Sequence, residues 1–165
     1  MNVFIILNYN DFETTINFLK MIKDYSSISK IVVVDNNSTD GSYEKISRYK
    51  SNKIFIIKSD KNGGYGYGNN FGIKFARKKW NSIDFFTITN PDIIVSEQTI
   101  FSLNCIFNTH QELGIIAPVI RNVDNSIVSN FIWEVPSYKA MITETSLIGH
   151  KICKMINKSI YHNFN

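Results

Sequence analysis

Four stretches of the sequence combine residue types that could bind a nucleotide. Asparagine and aspartate are prominent at residues 8–11, 35–42 and 90–92, and glycines recur among asparagines at residues 60–70. Asp, Asn and Ser side chains can hydrogen-bond a base or a ribose, and the free backbone N–H groups of a glycine-rich loop can approach phosphates. The stretches are far apart along the chain, so they form one site only if the fold brings them together.

Each polar stretch follows a segment with the pattern of a buried strand. Continuous apolar runs of strand length are typical of strands that are covered on both faces. We predict five strands, at residues 3–7, 31–34, 53–57, 84–89 and 113–119. Helical patterns occupy the intervals and predict helices at residues 11–25, 43–49, 70–79 and 96–107.

The alternation of strands and helices predicts an α/β fold with three layers around a mostly parallel sheet. Its crossovers are expected to be right-handed. In such a sheet, ligands bind beyond the carboxyl ends of the strands. Four of the five predicted strands lead into polar loops, which would therefore converge at one edge. This convergence is the strongest physical indication of a binding site in the chain.

Composition excludes several other classes of protein. The chain has 165 residues and is 44% apolar, and its two cysteines show neither a pairing pattern nor metal-ligand spacing. One folded domain is expected, with Cys105 facing the core and Cys153 also a reduced thiol. No apolar run approaches the ~20 residues that a membrane-spanning helix needs. A net charge of +4 suits an anionic ligand but is too small to indicate a nucleic acid partner.

Three motifs in a fixed order carry a resemblance to a known family. They are the Val-Val-Val-Asp-Asn-Asn-Ser-Thr-Asp-Gly-Ser run at residues 32–42, the glycine- and asparagine-rich run at 62–72, and Thr-Asn-Pro-Asp at 89–92. Together they resemble the family 2 inverting glycosyltransferases, and the rhamnosyltransferase-like branch in particular. The resemblance implies a GT-A fold, the Rossmann-like architecture of nucleotide-diphospho-sugar transferases.

The resemblance also implies which residues bind the nucleotide sugar. They lie in the four polar stretches and comprise Asn8, Tyr9, Asp35, Asn36, Asn37, Asn62, Gly63, Gly64, Asn69 and Asn90. Residues 90–92 stand in place of the family's Asp-x-Asp motif, with Asn90 at the first acidic position. Asp92 is then the main protein ligand for Mg²⁺ or Mn²⁺, and the donor's diphosphate completes the coordination shell.

The implied reaction is a single in-line displacement at the anomeric carbon, assisted by a carboxylate base. The family carries that base in an acidic motif well downstream, and no acid after Glu112 has a matching context. We therefore expect residues 1–120 to be the nucleotide-sugar-binding half of the domain. Residues 121–165 would be an incomplete start of the acceptor-side region, as in a truncated chain. The alternative is a non-catalytic nucleotide-binding fragment or pseudoenzyme.

The family resemblance suggests where such a protein works and on what. It implies a glycan or lipid-linked acceptor and a role in bacterial surface polysaccharide biosynthesis, in the cytoplasm. Residues 147–157 predict a helix with Lys151 and Lys154 on one face and isoleucines on the other. Such a helix is expected either to touch the inner face of the membrane or, more simply, to pack against the core. If its apolar face is uncovered, self-association into a homo-oligomer would follow.

Simpler interpretations of the same residues stay open at this point. The glycine-rich stretch is also compatible with a flexible surface connection, and Asp92 with a turn acid after Pro91. Tyr65 and Tyr67 either stack on a ligand or, more commonly for such residues, pack against the protein. A dinucleotide-binding dehydrogenase is disfavoured because the turn at residues 8–11 contains no glycine.

Overall fold

The computed structural model of the chain describes residues 1–110 and 112–128. Cys153 and the predicted helix at residues 147–157 lie outside the described residues, and so does most of the predicted acceptor-side region. None of the helices within the described ranges is long and apolar enough to cross a membrane.

Strands and helices alternate along the described part of the chain. Their order is β1 (Asn2–Asn8), α1 (Phe12–Ile22), β2 (Lys30–Asp35), α2 (Ser42–Ser47), β3 (Ile54–Lys58), α3 (Gly64–Lys79), β4 (Phe85–Thr89) and α4 (Glu97–Thr109). Helices α1 and α4 begin after residues that cap them. The Asp11 side chain accepts a hydrogen bond from the Thr14 N–H, and the Ser96 side chain accepts one from the Thr99 N–H.

The strands form one parallel sheet in the order β3-β2-β1-β4, which confirms the predicted fold class. Strand β1 pairs with β2 from Val3–Lys30 to Asn8–Asp35, and with β4 from Asn2–Phe85 to Ile6–Thr89. The chain passes from β1 outward to β3 and then returns to the other side of β1. The direction in which strands are added therefore reverses between β1 and β4. All four strands are parallel and end at the same carboxyl edge of the sheet.

Two apolar cores, one on each face of the sheet, make the structure three-layered. Phe4 and Ile6 of β1 pack on one face with buried residues of α1, α2 and α4, whereas Val3 and Ile5 pack on the other with Ala76 of α3. A right-handed crossover places its helix according to the direction in which the chain moves across the sheet. Helices α1 and α2 therefore lie opposite α3.

Helix α3 begins at Gly64 and not at residue 70, so part of the predicted glycine-rich loop is helical. The glycines predicted a loop because glycine destabilises a helix interior. Packing overrides that preference. A Cβ added at Gly68 would lie 2.2 Å from Leu7 Cδ1, and one added at Gly72 would lie 2.8 Å from Val34 Cγ2. With Ala76, these glycines recur every fourth residue and let the helix approach the sheet closely.

Gly72→Ala is expected to destabilise the protein even though alanine is the better helix former. The added methyl group would lie 2.8 Å from Val34 Cγ2 and 2.9 Å from Ile5 Cγ2, and both side chains are buried and β-branched. Overpacking typically costs about 1–3 kcal/mol, whereas the gain in helix propensity is about 1 kcal/mol. Urea unfolding should therefore show a lower midpoint for the variant.

Gly66→Ala is the matched control on the same helix. No atom lies within 4 Å of a Cβ added at Gly66, so the substitution gains helix propensity without a clash. We expect its free energy of unfolding to rise by about 0.5–1 kcal/mol. Stabilisation by both substitutions would contradict the close packing of α3 against the sheet.

Residues 113–119 do not form the predicted fifth strand, so that prediction was wrong. They have irregular backbone, with Ile115 89% exposed and Val119 56% exposed. Gly114 and Pro118 interrupt the apolar run, and a proline cannot donate a ladder hydrogen bond. Apolar composition alone predicted a strand that the backbone chemistry does not support.

The chain divides into two compact units, Met1–Ile116 and Ala117–Asn165. The sheet and its helices belong to the first unit. In the second, the described residues form a tight turn in which Arg121 and Ile127 make an antiparallel bridge. The predicted boundary between residues 1–120 and 121–165 remains a prediction.

Cys105 is exposed on α4, which corrects the prediction that it faces the core. Ile100 is buried and Leu103 half-buried on the inner side of this helix. Cys105 follows Leu103 by two positions, about 200° around a helix, and so lies on the outer side.

Candidate functional site

A cavity of about 240 Å³ opens at the carboxyl edge of the sheet. It lies at the ends of β1 and β4, where the strand order reverses and where open α/β sheets bind their ligands. Its lining consists of Leu7, Asn8, Tyr9, Asp11, Thr15, Tyr65, Asn90, Pro91 and Asp92. The fold thus brings together residues from three of the four predicted stretches, namely residues 8–11, 60–70 and 90–92.

The fourth stretch, which begins with Asp35, does not line this cavity. Asp35 is completely buried; its Oδ1 accepts a hydrogen bond from Asn8 Nδ2 at 2.9 Å, and its Oδ2 accepts one from the Ser38 N–H at 3.0 Å. The Thr15 hydroxyl donates to Asn8 Oδ1 at 2.8 Å. Both ends of the Asn8 amide are therefore held by protein groups. Asp35 does not line the cavity but fixes the position of Asn8, which does.

The loops after β1 and β2 are also joined through residues with left-handed backbone conformations. Asn10 has φ 51° and Asn37 has φ 60°, a region that asparagine tolerates better than most residues. The Asn10 N–H donates to Ser38 Oγ, and the Thr39 N–H donates to Asn10 Oδ1, both at 2.9 Å. Conformations of this kind persist only where the surroundings fix them, and they are frequent at ligand sites.

Asn36 joins the loop after β2 to the loop after β3. Its side chain is buried, and its Nδ2 donates to Asn62 Oδ1 at 2.9 Å while its Oδ1 accepts from the Ser59 hydroxyl at 3.2 Å. Asn62 Oδ1 also accepts from the Gly64 N–H at 3.1 Å. Gly64 has φ +82°, a backbone conformation that favours glycine. Asn36, Asn62 and Gly64 therefore form one hydrogen-bonded group at the carboxyl edge.

Tyr67, in the first turn of α3, packs against the loop after β3, as the simpler interpretation of this residue predicted. A Cβ added at Gly63 would lie 2.3 Å from Tyr67 Cγ, and the Tyr67 ring stacks on Phe71 with 6.3 Å between centroids. The Tyr67 hydroxyl donates to the Asp60 carboxylate. This hydrogen bond lowers the pKa of Asp60 and raises the pKa of Tyr67. Gly63 thus contacts the aromatic ring that anchors the loop.

Tyr67→Phe should raise the pKa of Asp60 toward its ordinary value, because the hydroxyl donor is lost. The lowered pKa in the folded state means that the bond stabilises the protein above the ordinary carboxyl pKa. That contribution disappears as the pH falls through the pKa of folded Asp60. An NMR titration of the Asp60 carboxyl carbon measures the shift directly. Identical titration curves in the variant and the parent chain would show that the hydroxyl does not cause it.

Asn69 is a buried polar residue that lacks one hydrogen-bond partner. It is 4% exposed, and its Oδ1 has no partner in the part of the chain that the structure describes. It follows Gly68, whose Cα approaches the Leu7 side chain of the cavity lining. Buried amide oxygens are normally satisfied, so an unpartnered one is unusual. Asn69 does not line the cavity, and this oxygen is enclosed by protein.

The lining of the cavity is negatively charged. Asp11 and Asp92 are its charged lining residues, and no lysine or arginine of the described ranges lines it. Asp11 also caps α1, since its Oδ1 accepts from the Thr14 N–H at 3.2 Å. No cluster of three or more His, Cys, Asp or Glu residues suited to a metal occurs in residues 1–110 and 112–128. A cation here would need oxygen ligands from a bound molecule as well as from Asp92.

The hydrogen bonds among Asn8, Asp35, Asn36 and their partners form one network at the carboxyl edge. Three residues of this network were not predicted from the sequence. Thr15 orients Asn8, Ser38 links the first two loops, and Ser59 bonds Asn36. Ser38 lies inside the polar stretch at residues 35–42, and Ser59 follows β3 directly, so their positions gave a usable signal. Thr15 gave none, because a threonine on the first turn of a helix is common in any protein.

The parallel sheet, the polar loops at one edge and the cavity at the point of strand reversal define an open α/β protein with a cavity where proteins of this architecture bind their ligands. Sequence comparison then gives the family. The family described as "Glycosyl transferase family 2" matches residues 3–162, and the chain belongs to this family. The fold is of the GT-A type. This confirms the predicted family, without distinguishing the rhamnosyltransferase-like branch.

Individual relatives agree with this assignment. The chain is 32% identical over 120 residues to the low-salt glycan biosynthesis hexosyltransferase Agl10 of Haloferax volcanii, a match that covers 72% of this chain and 36% of Agl10. The chain therefore spans about a third of the length of this relative.

Two solved structures share the fold. The crystal structure of S. aureus TarS 1–349 has a TM-score of 0.55 and 21% identity, over 67% of this chain and 33% of that one. The mannosyltransferase PcManGT from Pyrobaculum calidifontis, solved in complex with GDP-Man and Mn²⁺, has a TM-score of 0.52 and 20% identity. That match covers 60% of this chain and 30% of PcManGT.

Proposed function

We propose that the chain forms the donor site of a glycosyltransferase that moves a sugar from a nucleotide diphosphate to a glycan or lipid-linked acceptor. Family membership supports this class of reaction, and the names hexosyltransferase and mannosyltransferase among its relatives favour a hexosyl donor. The observation that carries the proposal is the cavity at the strand reversal, which Asn8, Tyr9 and Asp92 line together.

A divalent cation fits the chemistry of this cavity. Two carboxylates line it and no basic residue of the described ranges does, so the diphosphate of a donor would meet only negative charge. Mg²⁺ and Mn²⁺ prefer hard oxygen ligands, and Mg²⁺ in particular is often held by one or two carboxylates together with substrate phosphates. We propose Asp92 as the main protein ligand. When bound, the cation neutralises charge on the departing diphosphate.

The residues around the cavity divide into two roles in this proposal. Tyr9 and Asn90 line the cavity and contact the donor directly. Asn8 also lines it, but both ends of its amide are held by protein groups, so it shapes the cavity wall. Asn69 is buried and does not line the cavity. Asp35, Asn36, Asn37, Asn62, Gly63 and Gly64 set the shape of the loops. The hydrogen bonds of Asp35 and Asn36 to their neighbours support this second role, because their polar atoms are already occupied.

The proposed reaction inverts the anomeric carbon in one displacement. The acceptor hydroxyl gives up its proton to a carboxylate base and bonds to that carbon. The bond to the diphosphate breaks, and the nucleoside diphosphate leaves with the electron pair. The protein's described residues hold the donor for this step, and alignment of reacting groups is itself a large part of catalysis. No residue of the described ranges is assigned as the base.

Calorimetric titration of the purified chain with UDP, dTDP and GDP, each with and without Mn²⁺, tests the donor site. We expect one nucleotide to bind, and its affinity to depend on the metal. Failure of all three to bind in the presence of Mn²⁺ would contradict the proposal. Binding without any release of nucleoside diphosphate from the matching nucleotide sugar would instead support a non-catalytic nucleotide-binding protein.

A further inference from the structure

Tyr65 and Tyr67 lie two residues apart at the start of α3 but have different surroundings. Tyr67 is held by its hydrogen bond to Asp60 and by its contacts with Gly63 and Phe71. Tyr65 is 54% exposed, and its hydroxyl has no hydrogen-bond partner within the described ranges. Tyr65 is therefore not held by the hydrogen bond that fixes Tyr67.

Tyr65 is one of the two tyrosines in the lining of the cavity. Tyr65 lines it together with Tyr9, which comes from the loop after β1 and is 47% exposed. Two half-exposed aromatic rings from separate loops line the same small cavity. A tyrosine ring is a rigid surface on which planar groups can stack.

We infer that Tyr65 is a ligand-binding residue whose ring stacks on the nucleobase of the bound donor. This inference rests on the proposed function and adds a contact to it. Bases stack on aromatic side chains because every base has a π-face, so the contact contributes affinity without selecting one base. The cavity of about 240 Å³ is smaller than a typical site for a whole ligand, about 300–1,000 Å³, which suits a site for one part of the donor.

The neighbours of Tyr65 are suited to this contact. Gly64 and Gly66 flank it, and a Cβ added at either would meet no atom within 4 Å. The two residues adjacent to Tyr65 in the chain therefore have no side chain that could cover its ring. Tyr65→Ala should leave the fold intact, since a side chain that is more than half exposed contributes little to stability.

The test measures nucleotide affinity by calorimetry in the presence of Mn²⁺, using whichever of UDP, dTDP and GDP binds the parent chain. Tyr65→Ala should weaken binding by about 5- to 150-fold. Tyr65→Phe keeps the π-face and should stay within about threefold of the parent chain. Phe101→Ala is the matched control, because Phe101 on α4 is also 54% exposed but does not line the cavity.

Inorganic pyrophosphate distinguishes affinity for the base from affinity for the phosphates, because it has phosphates but no base. It is measured as a competitor of the nucleotide, and its affinity should be the same for Tyr65→Ala and the parent chain. Nucleotide affinity unchanged in Tyr65→Ala, or an equal loss for pyrophosphate, would overturn the stacking role and leave the proposed function standing. A parent chain that binds none of the nucleotides would overturn the proposed function, and the stacking role with it.

Discussion

Asp35→Ala is expected to lose about 3–5 kcal/mol of the free energy of unfolding, the largest effect on stability that the structure predicts. The Asp35 carboxyl group is completely buried and accepts from Asn8 Nδ2 and the Ser38 N–H. Its removal leaves the Ser38 N–H without a partner, deprives Asn8 of one of two acceptors and opens a cavity. A domain of this kind is stable by only about 5–15 kcal/mol, so a fifth or more of its stability would be lost.

Urea unfolding measures the effect of Asp35→Ala, with Asp35→Asn and Asp24→Ala as controls. The asparagine keeps the volume and one acceptor but directs an amide N–H at one of the two donors, so its loss should be smaller, about 1–3 kcal/mol. The Asp24 side chain is 84% exposed, and its removal should change stability by no more than about 0.5 kcal/mol. A loss below about 1 kcal/mol for Asp35→Ala would show that the network does not hold the loops.

The role of Asp35 could be predicted only in part from the sequence. Its position after a buried strand placed it correctly at the carboxyl edge, since parallel strands end together. The further prediction, that Asp35 contacts the base or ribose directly, did not follow from that position. Because Asp35 is completely buried and accepts a hydrogen bond from Asn8, the structure favours a role in positioning Asn8. Whether a polar side chain faces the ligand or the protein depends on partners such as Asn8, which is 27 residues away. No local pattern carries that information.

Helix α3 illustrates a second limit of the same kind. Glycine propensity predicted a loop up to residue 70, whereas the helix begins at Gly64. The spacing of Gly68, Gly72 and Ala76 by four residues was a readable sign of a helix that packs closely. This spacing indicates close packing only if a sheet packs against the helix face that carries the small residues. The Leu7 and Val34 side chains that Gly68 and Gly72 approach belong to β1 and β2.

The fifth strand failed for a reason visible in the sequence. Residues 113–119 are apolar, but Gly114 and Pro118 lie within the run, and these residues weaken a strand. The four predicted strands that did form contain neither residue. Apolar composition therefore identified buried strands reliably only where the backbone could also complete a ladder of hydrogen bonds.

Asp92→Ala should abolish the metal dependence of nucleotide binding. In Mn²⁺ its affinity is expected to fall to the value that the parent chain shows in EDTA. Loss of an outer-shell partner of a metal typically costs about 10- to 100-fold in metal affinity, so loss of a direct carboxylate ligand should cost at least about 100-fold. Asp92 lines the cavity and is exposed, so the variant is expected to fold normally. Calorimetry with the nucleotide that binds the parent chain measures both values.

The comparison with Asp11 decides whether the effect belongs to Asp92 or to negative charge in general. Asp11 lines the same cavity, but its carboxylate also caps α1. Asp11→Asn retains the capping oxygen and removes one charge, so under the proposal it keeps metal-dependent binding with a modest change in affinity. Equal losses in Asp92→Ala and Asp11→Asn would point to a cation held by the summed charge of the cavity. Full metal dependence in Asp92→Ala would exclude Asp92 as the ligand, and the predicted metal position at residues 90–92 would then be wrong.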